Sequence, residues 1–231
     1  MSFQNKVVWI TGASSGIGAA LAKALAADGP KFVLSARRQD ALEAVAQDLT
    51  AKGVPADDIF VLPFDILDEG ARASATDAVM DRFGRIDLLV NNAGRSQRSL
   101  ALDTDMQTYR DLFELDVFAQ IDLTKRVLPI MIAQKSGHIA ITSSVAGKIG
   151  AQLRTGYCAA KHAMQGFFDA LRAEVASEGI HVTSILPGFV QTEISKNAMR
   201  GDGTAFGVVT ESIEGGMDVD AAAAVMAKGL R

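Results

Sequence analysis

Tyr157 and Lys161 stand four residues apart in a stretch with helical character, a spacing that puts a phenol and an ammonium on one helix face. A free tyrosine has a pKa of about 10, too high for easy proton exchange near neutrality. A positive charge at about 4 Å contributes roughly 4 kcal/mol at an effective dielectric of about 20. Such a charge favours the phenolate and makes Tyr157 a usable general acid/base. Ser144 lies thirteen residues earlier, at the end of an apolar run. Its hydroxyl can donate to a carbonyl oxygen and stabilise the charge that develops there. Ser143 is the alternative donor, and either serine also suits a turn or a helix cap.

A second group of residues is built for a dinucleotide. Thr11-Gly12-Ala13-Ser14-Ser15-Gly16-Ile17-Gly18 follows the first apolar run and opens a helical pattern. Glycines there allow a tight turn and a close backbone approach to a pyrophosphate, which the helix N-terminus attracts. The spacing is G-x-x-x-G-x-G. The second apolar run ends Ser35-Ala36-Arg37-Arg38, with no acid before Asp40. An acid at this place suits a free ribose 2′-hydroxyl, whereas arginine suits a 2′-phosphate through its planar fork. The reading is NADP(H), against two merely solvated arginines. Asp65-Ile66 follows the third run, where the carboxylate suits either an adenine amino group or the cap of the next helix. Asn91-Asn92-Ala93-Gly94 follows the fourth, a place that suits a ligand edge and equally a plain turn.

Elements that alternate must position these groups. Strands are expected at 6–11, 31–35, 59–62, 86–90, 138–142 and 181–186, several of them rich in Val and Ile without strict polar alternation. Helices are expected at 16–28, 40–52, 68–83, 104–132, 157–177 and 218–229. The predicted fold class is α/β, a Rossmann-type doubly wound parallel sheet of six to seven strands with helices on both faces. No linker or repeat divides residues 1–231. Glycines 201, 203, 207, 215 and 216 give the region of about 193–217 the character of a mobile segment over a ligand site.

Composition sets limits. The 231 residues carry 48% hydrophobic and 22% charged side chains and a net charge of −4, with no basic run of the kind nucleic-acid binding needs. Cys158 is the single cysteine, so no internal disulfide forms, and a reducing, cytoplasmic compartment is expected. The run Val7-Val8-Trp9-Ile10 is too short for a signal-peptide core, and no stretch has the length of a membrane span. No cluster has metal-ligand spacing. His162 lies roughly 100° around the helix from Lys161 and reads as packing or surface. Met106, Met131, Met164 and Met226 read as core or pocket filler. Arg95 and Arg98 read as a solvated loop rather than the edge of a substrate mouth.

The combination of residues 11–18, Asn91–Gly94, Ser144, Tyr157/Lys161 and Pro187-Gly188 resembles the short-chain dehydrogenase/reductase family, over about residues 6–194. Gly156–Phe168 and Asn197–Gly207 look like its member 7 subgroup, which implies a bulky apolar carbonyl such as a steroid, retinoid or quinone. The resemblance implies hydride exchange between NADP(H) and a carbonyl/alcohol substrate. Ser144 then polarises the carbonyl, Tyr157 transfers the proton, and Lys161 binds the nicotinamide ribose and lowers the tyrosine pKa. Val190 and Thr192 hold the carboxamide, and Asn92 lies near the adenine-side ribose. A homodimer or homotetramer paired through the helices over 104–132 and 157–177 is expected. Two departures stand out. The family usually has Asn where Leu115-Asp116-Val117 places Asp116. In similar proteins that residue helps position a water that links the lysine to solvent, held largely by a backbone carbonyl. Asp116 therefore joins the expected catalytic set and should preserve the local helix distortion. The family also usually continues into a seventh strand, which this chain, ending at Arg231, does not supply. The competing readings are a non-catalytic NADP-binding sensor or scaffold on the same fold and, more remotely, an epimerase or dehydratase.

Overall fold

The computed structural model describes residues 3–231. Six strands form one parallel sheet: β1 (Val7–Thr11), β2 (Lys31–Ser35), β3 (Ile59–Val61), β4 (Leu88–Asn91), β5 (Gly137–Thr142) and β6 (Ile180–Ile185). Their order is β3-β2-β1-β4-β5-β6, the doubly wound arrangement expected from the alternating pattern. β1 is central, with Ile10 in register with Leu34 on one side and Val90 on the other. Every residue of β1 and β4 is buried, which is why these strands read as continuous apolar runs.

Helices cover both faces. α1 (Gly16–Leu25), α2 (Gln39–Ala51) and α8 (Val219–Leu230) close a core around Ile10, Leu21, Leu25, Phe32, Leu34 and Leu49. On the other face α3 (Glu69–Phe83), α5 (Ala119–Gln134) and α6 (Thr155–Val175) enclose Trp9, Leu89, Leu123, Met164 and Phe168. Among the described residues no helix is long and apolar enough to cross a membrane.

The expected helix over 104–132 is three pieces: α4 (Met106–Phe113), a π-helical segment Glu114–Phe118, and α5. A single π turn widens the helix and re-aims its side chains. Here it turns Asp116 fully inward while Phe118 points out to solvent. Met131, Met164 and Met226 are buried as expected, whereas Met106, at the exposed start of α4, is not core or pocket filler. The region of 193–217 contains a four-residue helix α7 (Glu211–Glu214) and is fastened along its first half. Arg98 N–H donates to the Met199 carbonyl at 2.8 Å, Met199 N–H to Ser96 at 2.8 Å, and Thr108 Oγ1 to the Gly201 carbonyl at 2.9 Å.

Candidate active site

The carboxyl ends of β1, β4 and β5 open into one cleft of about 1230 Å³. It lies where strand order reverses across β1, the place where open parallel sheets bind ligands. Gly12, Ser14, Gly16 and Ile17 line it. Gly12 has a φ of +64°, and a Cβ there would meet the Ala93 backbone at 2.9 Å, so only glycine fits the turn. Gly18 plays a different part from the one its motif suggests. It is buried and does not line the cleft. A Cβ on it would sit 2.4 Å from the Gly12 carbonyl oxygen, so its bareness lets α1 pack onto the turn. α1 starts with no side chain capping its first N–H groups.

Thr11 ties this turn to the end of β4. Its hydroxyl donates to Val90 O at 3.2 Å and accepts from Asn92 N–H at 3.0 Å and Ala93 N–H at 3.1 Å. Asn92 lines the cleft, but its amide nitrogen donates to the Thr11 and Gly12 carbonyls at 3.0 and 3.3 Å. Its side chain therefore holds the glycine turn in shape. Arg37 and Arg38 line the same cleft, exposed, and among the described residues neither side chain has a hydrogen bond or an ion pair. Asp65 also lines it, with Oδ1 accepting Leu67 N–H at 3.0 Å. The cap of α3 is instead Asp68, which accepts Ala71 N–H at 3.0 Å. Ile66 is buried beside it, its carbonyl taken by Arg72 at 2.6 Å. Val190 and Thr192 line the opposite wall, Thr192 packing 3.4 Å from where a Gly16 Cβ would stand. A glycine cradle with uncapped N–H groups at the start of α1 fits the phosphates of a nicotinamide dinucleotide.

The floor of the cleft holds the reacting groups. Tyr157 is in the first turn of α6 and 6% exposed, with Lys161 one turn on. Lys161 Nζ lies 5.6 Å from the Tyr157 ring centre. Ser144 is half-buried at the end of β5. Its hydroxyl accepts from Ala146 N–H at 3.1 Å and donates to the Pro187 carbonyl at 3.4 Å. Ser143 is buried and donates to the Lys161 carbonyl at 3.3 Å, which commits it to anchoring α6.

Asp116 does not line the cleft. It stands behind Lys161, wholly buried, with Oδ2 3.2 Å from Nζ and Oδ1 accepting Arg95 N–H at 2.8 Å. Of the expected catalytic set, Asp116 alone stands outside the cleft and meets the reacting groups through Lys161. Lys161 also donates to the Thr142 carbonyl at 3.2 Å. Burial pushes the Asp116 carboxyl up, and Lys161 and the Arg95 N–H oppose this without reversing it. Burial pulls the Lys161 ammonium down, but Asp116 and then Tyr157 outweigh it and hold it above its ordinary value. The lysine therefore stays charged although it is buried. The Thr142 carbonyl carries no sequence signal, because any residue supplies it.

Arg95 and Arg98 both line the cleft, half-buried, which corrects their reading as a solvated loop. His162 is exposed and its Nδ1 meets the Cys158 carbonyl at 2.8 Å, away from the chemistry.

The short chain dehydrogenase family model matches residues 6–203. Dehydrogenase/reductase SDR family member 7 of Homo sapiens is 50% identical over 200 residues, covering 86% of this chain and 59% of its own. Member 7B of Danio rerio is 40% identical over 220 residues, 94% of this chain and 71% of its own. The chain spans about three-fifths of the length of the member 7 proteins it matches. Among solved structures, a short-chain dehydrogenase/reductase from Burkholderia phymatum in complex with NAD superposes with a TM-score of 0.87 at 25% identity, over 99% of this chain and 86% of its own. A metagenomic short-chain oxidoreductase in complex with NADP gives 0.76 at 32% identity, over 81% and 84%.

Proposed function

Since the chain belongs to the short-chain dehydrogenase/reductase family, we propose that it is an NADP-dependent oxidoreductase that interconverts a carbonyl and an alcohol, on a substrate with a bulky apolar body. The observation that carries this is Tyr157 at the floor of the cleft, with the Lys161 ammonium 5.6 Å from its ring centre and Ser144 on the same surface. The nicotinamide cofactor supplies or accepts the hydride. Ser144 presents its hydroxyl to the substrate oxygen and stabilises the charge gathering there. Tyr157 holds the proton that this oxygen gains or loses, with the Lys161 ammonium standing beside its ring. Phe189, Met199, Ile149 and Val145 give the substrate wing its apolar surface.

The preference for NADPH over NADH rests on Arg37 and Arg38. One charge-assisted bond to a 2′-phosphate contributes roughly 1.5–3 kcal/mol, so a preference of about tenfold or more is expected. The same reading has the enzyme working in the cytoplasm as a homodimer or homotetramer paired through α4–α5 and α6, where Phe118 is exposed. The test is to titrate both cofactors by the fluorescence of Trp9, whose indole N–H is bonded to cleft-lining Ser35 at 2.9 Å, and to follow NADPH oxidation across ketones, aldehydes and quinones. Equal or tighter binding of NADH would overturn the cofactor assignment. No turnover on any carbonyl, with NADPH still bound, would favour a non-catalytic binding protein.

A further inference from the structure

The substrate wing of the cleft holds two arginines that pair with no carboxylate among the described residues. Arg98 and Arg154 line it, both half-buried. Among the described residues neither side chain has a hydrogen bond or an ion pair. Each guanidinium instead lies against an aromatic ring: Arg98 at 5.4 Å from the centre of Phe206, Arg154 at 5.6 Å from that of Phe189. These ring contacts spend no hydrogen bond, so each fork of N–H donors is left uncommitted among the described residues. Elsewhere, Arg72, Arg85, Arg126, Arg172 and Arg231 are all answered by carboxylates. The two cleft arginines are thus oriented without being neutralised.

Their backbones are joined to each other and to the reacting centre. Ser99 forms a parallel bridge with Arg154, and Ser99 N–H donates to the Leu153 carbonyl at 3.0 Å. Leu153 has a φ of +63°, a left-handed conformation that residues with side chains rarely adopt, immediately before Arg154. Gln97 Oε1 accepts Gly156 N–H at 3.1 Å, fastening the Arg98 loop to the turn that carries Tyr157. Acids do lie near the mouth, but none answers these two cations. Asp111 and Glu114 are exposed, and Glu193 is paired with Lys196 at 2.9 Å. Arg95, the third arginine of the wing, has Asp116 behind it to offset its charge.

We propose that Arg98 and Arg154 recognise a carboxylate carried by the substrate at a distance from its reacting carbonyl. The substrate is then an amphipathic oxo-acid, its apolar body on Phe189 and Met199 and its acid on the arginine forks. This rests on the reading of the cleft as a carbonyl-reducing site. A matched pair of compounds tests it: 4-(4-formylphenyl)butanoate and its methyl ester, which share one aldehyde and differ in one charge. Steady-state rates with NADPH and calorimetric binding with NADP⁺ present are measured for both. The expected result is a kcat/KM for the acid about tenfold or more above the ester, matched in affinity, since one charge-assisted bond corresponds to about that factor. R98Q and R154Q should each lower the acid-to-ester ratio toward one, with thermal melts run alongside. If a variant fails to fold, the parent ratio still decides. An acid that binds and reacts no better than its ester overturns the inference and leaves carbonyl reduction standing. If neither aldehyde is reduced but the acid binds more tightly than the ester, the anion site stands and the catalytic reading falls. If neither compound binds with preference, the inference falls.

Discussion

β4 has an acid–base cluster at each end, built from the same residue types and opposite in character. Asp87 stands just before the strand. Its carboxylate accepts Val7 N–H at 2.9 Å and both Arg85 nitrogens at 2.8 and 2.6 Å, with Lys6 at 3.3 Å. Beyond the other end, Asp116 meets Lys161 at 3.2 Å and the Arg95 N–H. Arg85 and Lys6 reach solvent, whereas both members of the upper pair are buried. Burial pushes the Asp87 carboxyl up, but Arg85, Val7 and Lys6 together hold it below its ordinary value. Asp116 has fewer donors and is wholly buried, and stays above its ordinary value. A carboxylate saturated with donors makes a stable joint. One that is buried with a single ammonium keeps that ammonium charged and in place. The lower cluster therefore serves stability and the upper one chemistry.

The largest effect expected at the upper end is on turnover. Tyr157→Phe removes the transferable proton and almost no volume. It should cut kcat by roughly 10²–10⁴-fold, the usual worth of general acid catalysis, while the Kd for NADPH changes little. Stopped-flow turnover beside a cofactor titration checks this, and a rate within about tenfold of the parent would reject Tyr157 as the acid. At the lower end the effect should move to stability. Asp87→Asn keeps the shape and gives up bonds to charged groups, a loss of about 2 kcal/mol, or roughly 4–8 °C in Tm for a chain of this size, with kcat unchanged. The sign with pH follows from the depressed pKa. The stability that Asp87 contributes is present above the ordinary carboxylate range, about pH 4, and is lost as pH falls through its lower folded value. Parent and variant should thus converge in Tm in acid. A constant gap at every pH would mean that the ion pairs contribute nothing.

Much of the upper end was legible because its chemistry is local. Ser144, Tyr157 and Lys161 sit at a strand end and at helical spacing, and each of the six strands lies within two residues of its apolar run at either end. The glycine turn was legible as a turn, but the separate task of Gly18 depends on how closely α1 meets Asn92, which no spacing encodes. The π segment at Glu114–Phe118 was foreshadowed only by the family resemblance, as a local distortion at Asp116, because a widened turn has no composition of its own and 104–132 reads as one helix. Arg154 escaped notice for a related reason. It lies in an irregular stretch three residues before Tyr157, and its facing depends on Leu153 and on a bridge to Ser99 from far along the chain.

The smallest effect is the sharpest test of the contrast, because it asks whether Asp116 alters the chemistry or only fills space. Asn is nearly isosteric and is the residue the family usually has at this position. An amide oxygen can still accept the Arg95 N–H, so Asp116→Asn should keep the fold of the π segment and measurable turnover. What disappears is a negative charge 3.2 Å from Lys161. In the parent that charge offsets part of the lysine's field at the reacting centre. Removing it should move the pH profile of kcat/KM in the alcohol-oxidising direction toward lower pH. The opposing effect is on the lysine itself, which burial alone pulls down once its counter-charge is gone. A deprotonated lysine would withdraw its field from the reacting centre and move the profile the other way. The two outcomes therefore differ in sign, and a pH profile of parent and variant separates them. A profile at lower pH means that the carboxylate tunes the reacting centre. An unchanged or higher one means that its task is to keep Lys161 charged, which would make the Asp116–Lys161 pair resemble Asp87–Arg85 more closely than their environments suggest.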